Sequence, residues 1–442
     1  MDIPAELLAK VELAIDQNDI TTLRTVLDQL QPFDIAEILE ELSQDRQITL
    51  IDSISPEVAA EAIVYLEPIE QYRIFDGLPE KKMKTILELL SSDDVVDLVA
   101  AIHPHQAERL VGWLPQSYLD KIRALMSYPE NTAGSLATFD YISARESWTA
   151  SQTLAHIRKV GNAPESISYV YVLDARGHLV GVASLRSLIM APPEATLAEF
   201  IDRSVVSIDA NEHQERAAQL LSQYDWLALP VIEASGRMVG IITVDDIIDV
   251  IEEEATEDFQ LGAAVTPLED DYGNLGVWEL YKKRAGWLVI LVFINLLSSS
   301  VMAVFEELLA ATIALTFFVP LLIATGGNAG QQSSTLMVRS LATGDTRLSQ
   351  WFKVLLKELG VGLALGVTLG LASWVLGVVQ GGLRIGLVVS LSMTVIVVIA
   401  NLVGVTMPFV LTKLKKDPAV ASGPLLTTIV DATGLLIYFS VA

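Results

Sequence analysis

From the N-terminus to about residue 130, apolar positions recur at intervals of three and four, as in Ile35, Ile38, Leu39 and Leu42. That is the period of a helix with one buried face. The run is punctuated by helix starts: Gln31-Pro32-Phe33-Asp34, Ser55-Pro56-Glu57, Leu78-Pro79-Glu80 and Ser91-Ser92-Asp93-Asp94. Proline fits the first helical turn, and Ser or Asp caps it. A spacing of about 22 to 24 residues predicts a stack of similar helical units, a small superhelix.

The pattern then changes. Val172-Leu-Asp-Ala-Arg-Gly177-His-Leu-Val-Gly181-Val-Ala-Ser184 is repeated, 59 residues on, as Val231-Ile-Glu-Ala-Ser-Gly236-Arg-Met-Val-Gly240-Ile-Ile-Thr243. Each copy reads as strand, Gly turn and strand. Each follows a helical stretch, 150–160 or 214–223, and precedes another. Past residue 284, five long segments are almost free of charge: 287–305, 309–338, 359–379, 385–412 and 418–442. A membrane span needs about 20 mainly apolar residues. Five consecutive segments of that kind leave no polar face for a soluble core. The second and fourth are long enough to tilt or to be broken by their Gly and Pro.

Charge divides the chain in the same way. From Lys282 onward there are 11 basic and 6 acidic residues, which leaves 18 basic and 49 acidic before that point. An acidic excess of this size self-repels unless cations neutralise it. It also has the wrong sign for nucleic acid, whose phosphates need basic partners. There is no cysteine, so thiolate metal sites, thiol catalysis and disulfides are excluded. The N-terminus lacks the basic start and apolar run of a signal peptide.

Basic residues set the expected orientation. Lys282, Lys283 and Arg284 precede the first segment. Arg339, Arg347, Lys353 and Lys357 lie between the second and third, and Lys413, Lys415 and Lys416 between the fourth and fifth. The opposite connections hold Arg384 alone, beside Glu306 and Glu307. This places the N-terminal part in the cytosol and the C-terminus outside.

Asp431 stands near the middle of the fifth segment. A carboxylate there costs roughly 2.5–3.5 kcal/mol on insertion scales, a cost tolerated if it meets water or a cation. The alternative is an Asp hydrogen-bonded to a neighbouring helix. The second segment carries Thr325-Gly326-Gly327-Asn328-Ala329-Gly330-Gln331-Gln332-Ser333-Ser334-Thr335. Such a run suits the lining of a pore, with glycines that permit a broken helix and freed carbonyls. Small residues also serve helix packing, but packing does not need Asn328, Gln331 and Gln332 together.

Carboxylates cluster elsewhere. Asp245, Asp246, Asp249, Glu252, Glu253, Glu254, Glu257 and Asp258 would stack on successive helical turns, and Asp93, Asp94 and Asp97 form a similar group. Like charges at that spacing destabilise a helix by a few tenths of a kcal/mol each. Oxygen-only clusters select hard cations such as Mg²⁺ and Ca²⁺. A solvated acidic face is the alternative.

The repeat resembles a tandem CBS pair, a regulatory module. In nucleotide-binding pairs a Thr/Ser-x-x-Asp motif holds a ribose. The second copy has Thr243 and Asp246; the first has Ser184 but Ser187 in place of the Asp. The resemblance thus implies at most one good nucleotide site, for ATP, with a purely structural Thr243 as the alternative.

The chain as a whole resembles the MgtE family of magnesium channels. The carrying motifs are Gly326-Gly327-Asn328 with Gln332-Ser333, Asn401-Leu-Val-Gly404, and Asp417-Pro-Ala followed by Ser422 and Pro424 to Asp431-Ala-Thr-Gly434. The resemblance implies a multi-domain protein: an all-α superhelical N-domain over 1–130, α/β tandem CBS domains over 131–243, a plug helix and linker over 244–281, and a five-helix transmembrane domain over 282–442. It implies a homodimer among membrane lipids, in the inner membrane, passing divalent cations and catalysing no reaction. Asp431 and Asn328 would serve the pore. Cytosolic Mg²⁺ would bind Asp93, Asp97, Glu215, Asp225, Asp246, Asp249, Glu254, Glu257, Asp258 and, at the membrane face, Asp417, and would hold the pore shut. Three positions depart from some members: Gly423 and Gln331 stand where an Asn can occur, and His213 where an acid can.

Physical reasoning points the same way. No Gly-x-x-x-x-Gly-Lys-Ser/Thr loop is present, so no motor for ATP-driven pumping is visible. Mg²⁺ sheds water reluctantly, which favours a wide path for the hydrated ion. Two other readings are a membrane-anchored sensor, which has no need of Asp431, and an exchanger driven by H⁺ or Na⁺.

Overall fold

The structure is a computed structural model that describes residues 5–160, 166–268, 272–273, 275–420 and 423–442. Ser422 of the last motif lies outside them. The chain forms two compact units, Met1–Ile251 and Glu252–Ala442.

The first unit opens with short helices that begin where the punctuation predicts, among them Pro32–Glu41, Pro56–Ile63, Glu80–Leu87 and Ser92–Ala101. Ser55 Oγ accepts the Val58 N–H at 3.3 Å, and Ser91 Oγ accepts that of Asp94 at 3.3 Å. These bonds satisfy donors that a helix start leaves open. The apolar faces of Ile35, Ile38 and Leu39 are fully buried. Helices pack on those two places further along, which makes the stack superhelical. Two buried glutamines bind successive layers: Gln47 Nε2 donates to the Leu39 carbonyl at 2.8 Å and Gln71 Nε2 to that of Leu66 at 2.7 Å.

Each half of the repeat forms a three-stranded sheet. Tyr141–Ala144 pairs parallel to Ser166–Leu173, which pairs antiparallel to Leu179–Ser184; Ile208–Asp209, Ala228–Ile232 and Met238–Thr243 repeat the pattern. The turns need glycine, since Gly177 has φ 85° and Gly236 φ 83°, a region that side chains disfavour. The two turns pair through backbone, Leu179 N–H to the Gly236 carbonyl and Met238 N–H to that of Gly177. Residues 132–138 join the helical stack to the second sheet, with Thr138 N–H on the Ile241 carbonyl at 2.8 Å. A Cβ at Gly240 would lie 2.3 Å from the Thr138 carbonyl oxygen, so only glycine fits there. One hydrophobic core runs from Val11 through the stack to Val250.

The second unit holds the apolar helices Val277–Val304, Val319–Ala342, Trp351–Lys413 and Gly423–Val441. The third turns back at Gly382, where φ is 80° and ψ 179°, and its limbs supply the third and fourth of the five predicted segments. Close glycine contacts seat one limb on the other: a Cβ at Gly377 would stand 2.6 Å from Gly386, and one at Gly366 2.7 Å from the Thr394 carbonyl.

The second predicted segment is broken at its proline and not at its glycines. Its break falls ahead of the glycines, where Glu306–Ala311 and the 3-10 turn Ile313–Phe318 precede a new helix with proline in its first turn. The Gly326–Gly330 stretch itself stays helical. The glycines are packing surfaces: a Cβ at Gly326 would meet Ile396 at 2.6 Å, one at Gly327 Thr427 at 3.0 Å, and one at Gly404 the Gly330 carbonyl at 2.3 Å. Small residues let helix backbones approach this closely.

Candidate functional site

In the first unit, five carboxylates from distant parts of the chain come together. Asp93 and Asp94 start the helix Ser92–Ala101, Asp140 follows the joining segment, and Asp245 and Asp246 start the helix Val244–Gly262. Hydrogen bonds fix the junction. The Asp140 carboxylate accepts the Ser92 N–H at 2.9 Å, and the Ser92 and Thr138 hydroxyls lie 2.9 Å apart. The Asp246 carboxylate accepts from Thr243 twice, from Oγ1 at 2.6 Å and from N–H at 3.2 Å.

The electrostatics of this group are strained. Asp93 is 9% exposed, and its Oδ1 is buried with no hydrogen-bond partner among the described residues. Burial, the largest cause, pushes its pKa up against hydrogen bonds that pull the other way. Asp246 is pushed up to about 7, by burial first, then by Asp93 and Asp245, with Thr243 opposing. Asp94 is pushed up to about 6 by burial and then by Asp93. Burial also raises Asp140, while Ser92 lowers it. Buried carboxylates with so little cationic compensation favour protons or a hard cation. The free Oδ1 of Asp93 and the mutual repulsion fit an oxygen-bound Mg²⁺.

The predicted regulatory residues distribute as follows. Asp93 and Asp246 meet in this group. Asp97 and Asp249 are exposed on the same two helices. Glu215 is half-buried in the first turn of Gln214–Tyr224, where it accepts from Gln219 Nε2 at 3.3 Å. Asp225 caps that helix in the left-handed conformation, φ 52°. Glu254, Glu257 and Asp258 continue along Val244–Gly262 in the second unit, where Asp417 is exposed and accepts the Ala419 N–H at 2.8 Å. No local pattern in the sequence marks Asp140. It stands 47 residues from Asp93 with no motif around it, so only the fold could bring it in.

The nucleotide pair Thr243 and Asp246 closes on itself. A cavity of about 260 Å³ lies elsewhere in the repeat, lined by Tyr169, Tyr171, Ser184, Ser187, Asp202 and Trp226, among others. Ser184 and Ser187 there come from the first copy, the one whose motif lacks the Asp, and Ser204 adds a third serine hydroxyl.

In the second unit Asp431 is half-buried on the helix Gly423–Val441, which packs along the glycine face of Val319–Ala342. It lies one turn past Thr427, which touches Gly327. Asn328, Gln331 and Gln332 are exposed on the Gly-rich helix, while Gly326, Gly327 and Gly330 are buried. One helix thus presents a packing face and an amide face. Tyr438 Oη donates to the Leu315 carbonyl at 2.9 Å and anchors the far end.

Comparisons with known proteins bear on the family and the fold. A divalent cation transporter family matches residues 319–441, an MgtE intracellular N domain matches 30–131, and a CBS domain matches 197–253. The magnesium transporter MgtE of Thermus thermophilus is 40% identical over 99% of this chain and 98% of that protein. That of Bacillus subtilis is 32% identical over 99% and 97%. A crystal structure of the cytosolic domain of the Mg²⁺ channel MgtE in complex with ATP aligns at 35% identity and a TM-score of 0.52, covering 55% of this chain and 99% of that one.

Proposed function

The chain belongs to the MgtE family of magnesium transporters, and from that premise we propose that it passes Mg²⁺ passively through one pore at the axis of a homodimer, lined by the Gly-rich helix and the last helix, with Asp431 as the central carboxylate. It is a membrane transporter and not an enzyme. The observation that carries the proposal is the half-buried Asp431 on a helix seated against the glycine face of Val319–Ala342, whose other side presents Asn328. Two copies, a homodimer, would set two Asp431 carboxylates around one hydrated ion. With the N-terminal unit in the cytosol of a cell bounded by an inner membrane, the potential drives entry. It contributes about 2.3 kcal/mol per charge per 100 mV, hence roughly 4.6 kcal/mol for a divalent ion.

Cytosolic Mg²⁺ closes the path. At low Mg²⁺ the carboxylates of the first unit and of Val244–Gly262 repel one another; at high Mg²⁺ the ion bridges them and favours the closed form. Asp93 and Asp246 are central to this step, with Asp97, Glu215, Asp225, Asp249, Glu254, Glu257, Asp258 and Asp417 as further ligands. The Oδ1 of Asp93, buried and without a hydrogen-bond partner among the described residues, supports this part. A second ligand is supported by the aromatic cavity and by the ATP complex of the similar cytosolic domain: an adenine nucleotide beside Tyr169 or Trp226.

Mg²⁺ flux into proteoliposomes tests the reading. Asp431→Ala is expected to abolish flux while the protein stays folded, and the wild-type flux is expected to need no H⁺ or Na⁺ gradient. Normal flux through the Ala variant refutes the assignment of the path.

A further inference from the structure

A second carboxylate enters the membrane unit without any role so far. Glu358 stands seven residues into Trp351–Lys413, half-buried. Among the described residues its hydrogen bond comes from Ser333, whose Oγ donates to Oε2 at 3.1 Å. Ser333 is 6% exposed and sits on the Gly-rich helix. One turn along from Glu358 is Gly362, whose Cβ, if present, would lie 3.4 Å from Asn401 Nδ2. Asn401 is 1% exposed, and its Oδ1 is buried without a partner among the described residues. A polar seam therefore runs through an otherwise apolar contact between the Gly-rich helix and both limbs of the hairpin.

The rest of that contact is made by glycine. Gly330 rests on the Ala400 carbonyl and Gly404 on the Gly330 carbonyl. Such surfaces allow close approach but have few side-chain ridges to interlock, so they resist rotation of one helix against another weakly. A directional hydrogen bond in a water-poor setting supplies what they lack. At 3.6 residues per turn, Ser333 and Asn328 lie about 140° apart around the helix axis, and Ser333 and Gln331 about 160°. Holding Ser333 inward therefore holds both amides outward.

We infer that Glu358 is a positioning residue for transport, which sets the rotation of the Gly-rich helix through Ser333 and so aims its amide face at the ion path. The inference rests on the proposal that this helix lines the path. Its mechanism needs a hydrogen-bond acceptor at position 358, not a charge.

The test uses the full chain in proteoliposomes, comparing Ser333→Ala, Glu358→Ala, Glu358→Gln and the double Ala variant. Flux is normalised to folded protein, and single-channel conductance is recorded in bilayers. Both single Ala variants should lose flux and conductance about fivefold, the scale of one net side-chain hydrogen bond, and the double variant should fall no further. Glu358→Gln should stay within about twofold of wild type, because its amide oxygen still accepts. Should Glu358→Ala not fold, Ser333→Ala carries the same test with the loss of one hydroxyl. Wild-type conductance in the Ala variants, or lowered thermal stability alone, overturns the inference, and so does a Gln variant as impaired as the Ala one. Asp431→Ala run in parallel separates the two claims: its normal flux would sink the path itself, whereas its loss beside unchanged Ser333→Ala conductance sinks only the positioning role.

Discussion

Replacing Asp246 by Asn should make the first unit more stable without metal and less responsive to it. Asp246 titrates at about 7, against 3.8 for a free aspartate, because burial and Asp93 oppose its charge. Forcing it to ionise at pH 8 therefore costs on the order of 4 kcal/mol. Part of that sum is repulsion shared with Asp93, so about half, roughly 2 kcal/mol, is assigned to the charge of Asp246 alone. Asn keeps an oxygen for Thr243, and the capping contact survives. In a unit of this size 2 kcal/mol moves Tm by about 4–8 °C. The pH dependence has a definite sign. A raised carboxylate pKa means that the folded unit binds protons more tightly than the unfolded chain. Metal-free stability is thus highest near pH 4, falls as pH rises to about 7 and is level above. On the proposed function Mg²⁺ would take the place of the protons, and at a hundredfold excess over Kd it would add about 2.7 kcal/mol. The assay is thermal unfolding followed by Trp fluorescence at pH 5 and pH 8, in EDTA and in Mg²⁺. Wild type should gain stability from Mg²⁺ at pH 8 and little at pH 5, while Asp246→Asn should start higher in EDTA and gain less. A variant that melts lower in EDTA at pH 8, or that responds to Mg²⁺ as wild type does, refutes the charge argument.

Three further outcomes are expected. Neutralising Asp246, Asp249, Glu254 and Glu257 together should leave a channel open at high cytosolic Mg²⁺, and patch recordings with unaltered Mg²⁺ inhibition would count against the closing step. Gly404→Ala puts a methyl group 2.3 Å from the Gly330 carbonyl, so it should destabilise the membrane unit by about 1–3 kcal/mol, read as a lower Tm in detergent. Gly382→Ala should cost a similar 1–3 kcal/mol through its positive φ; unchanged yield and Tm would show that the hairpin turn tolerates a side chain.

The chain's local regularities are legible in the sequence. Short helices at Pro32, Pro56, Glu80 and Ser92, the paired strands around Gly177 and Gly236, and five apolar segments all follow from period, caps and turns. Asp431 stands out in the sequence too, because a carboxylate in an apolar run needs a reason, and its part in transport is a proposal. The sequence left the break in the second segment open between its glycines and its proline, since glycine content reads alike for a broken helix and for a tight seam. Which it is depends on what lies opposite, here Thr427, Ile396 and Gly404.

The sequence by itself determined which faces are apolar, which ends are basic and which half is acidic, because those properties are set by residues close together in the chain. The tertiary structure decided that Asp140 joins Asp93 and Asp246, that Glu358 meets Ser333, and that Asn401 keeps an oxygen unmatched among the described residues. Such pairings join residues 25 or more positions apart, and their energies depend on distance and dielectric in the folded state, which no local pattern encodes.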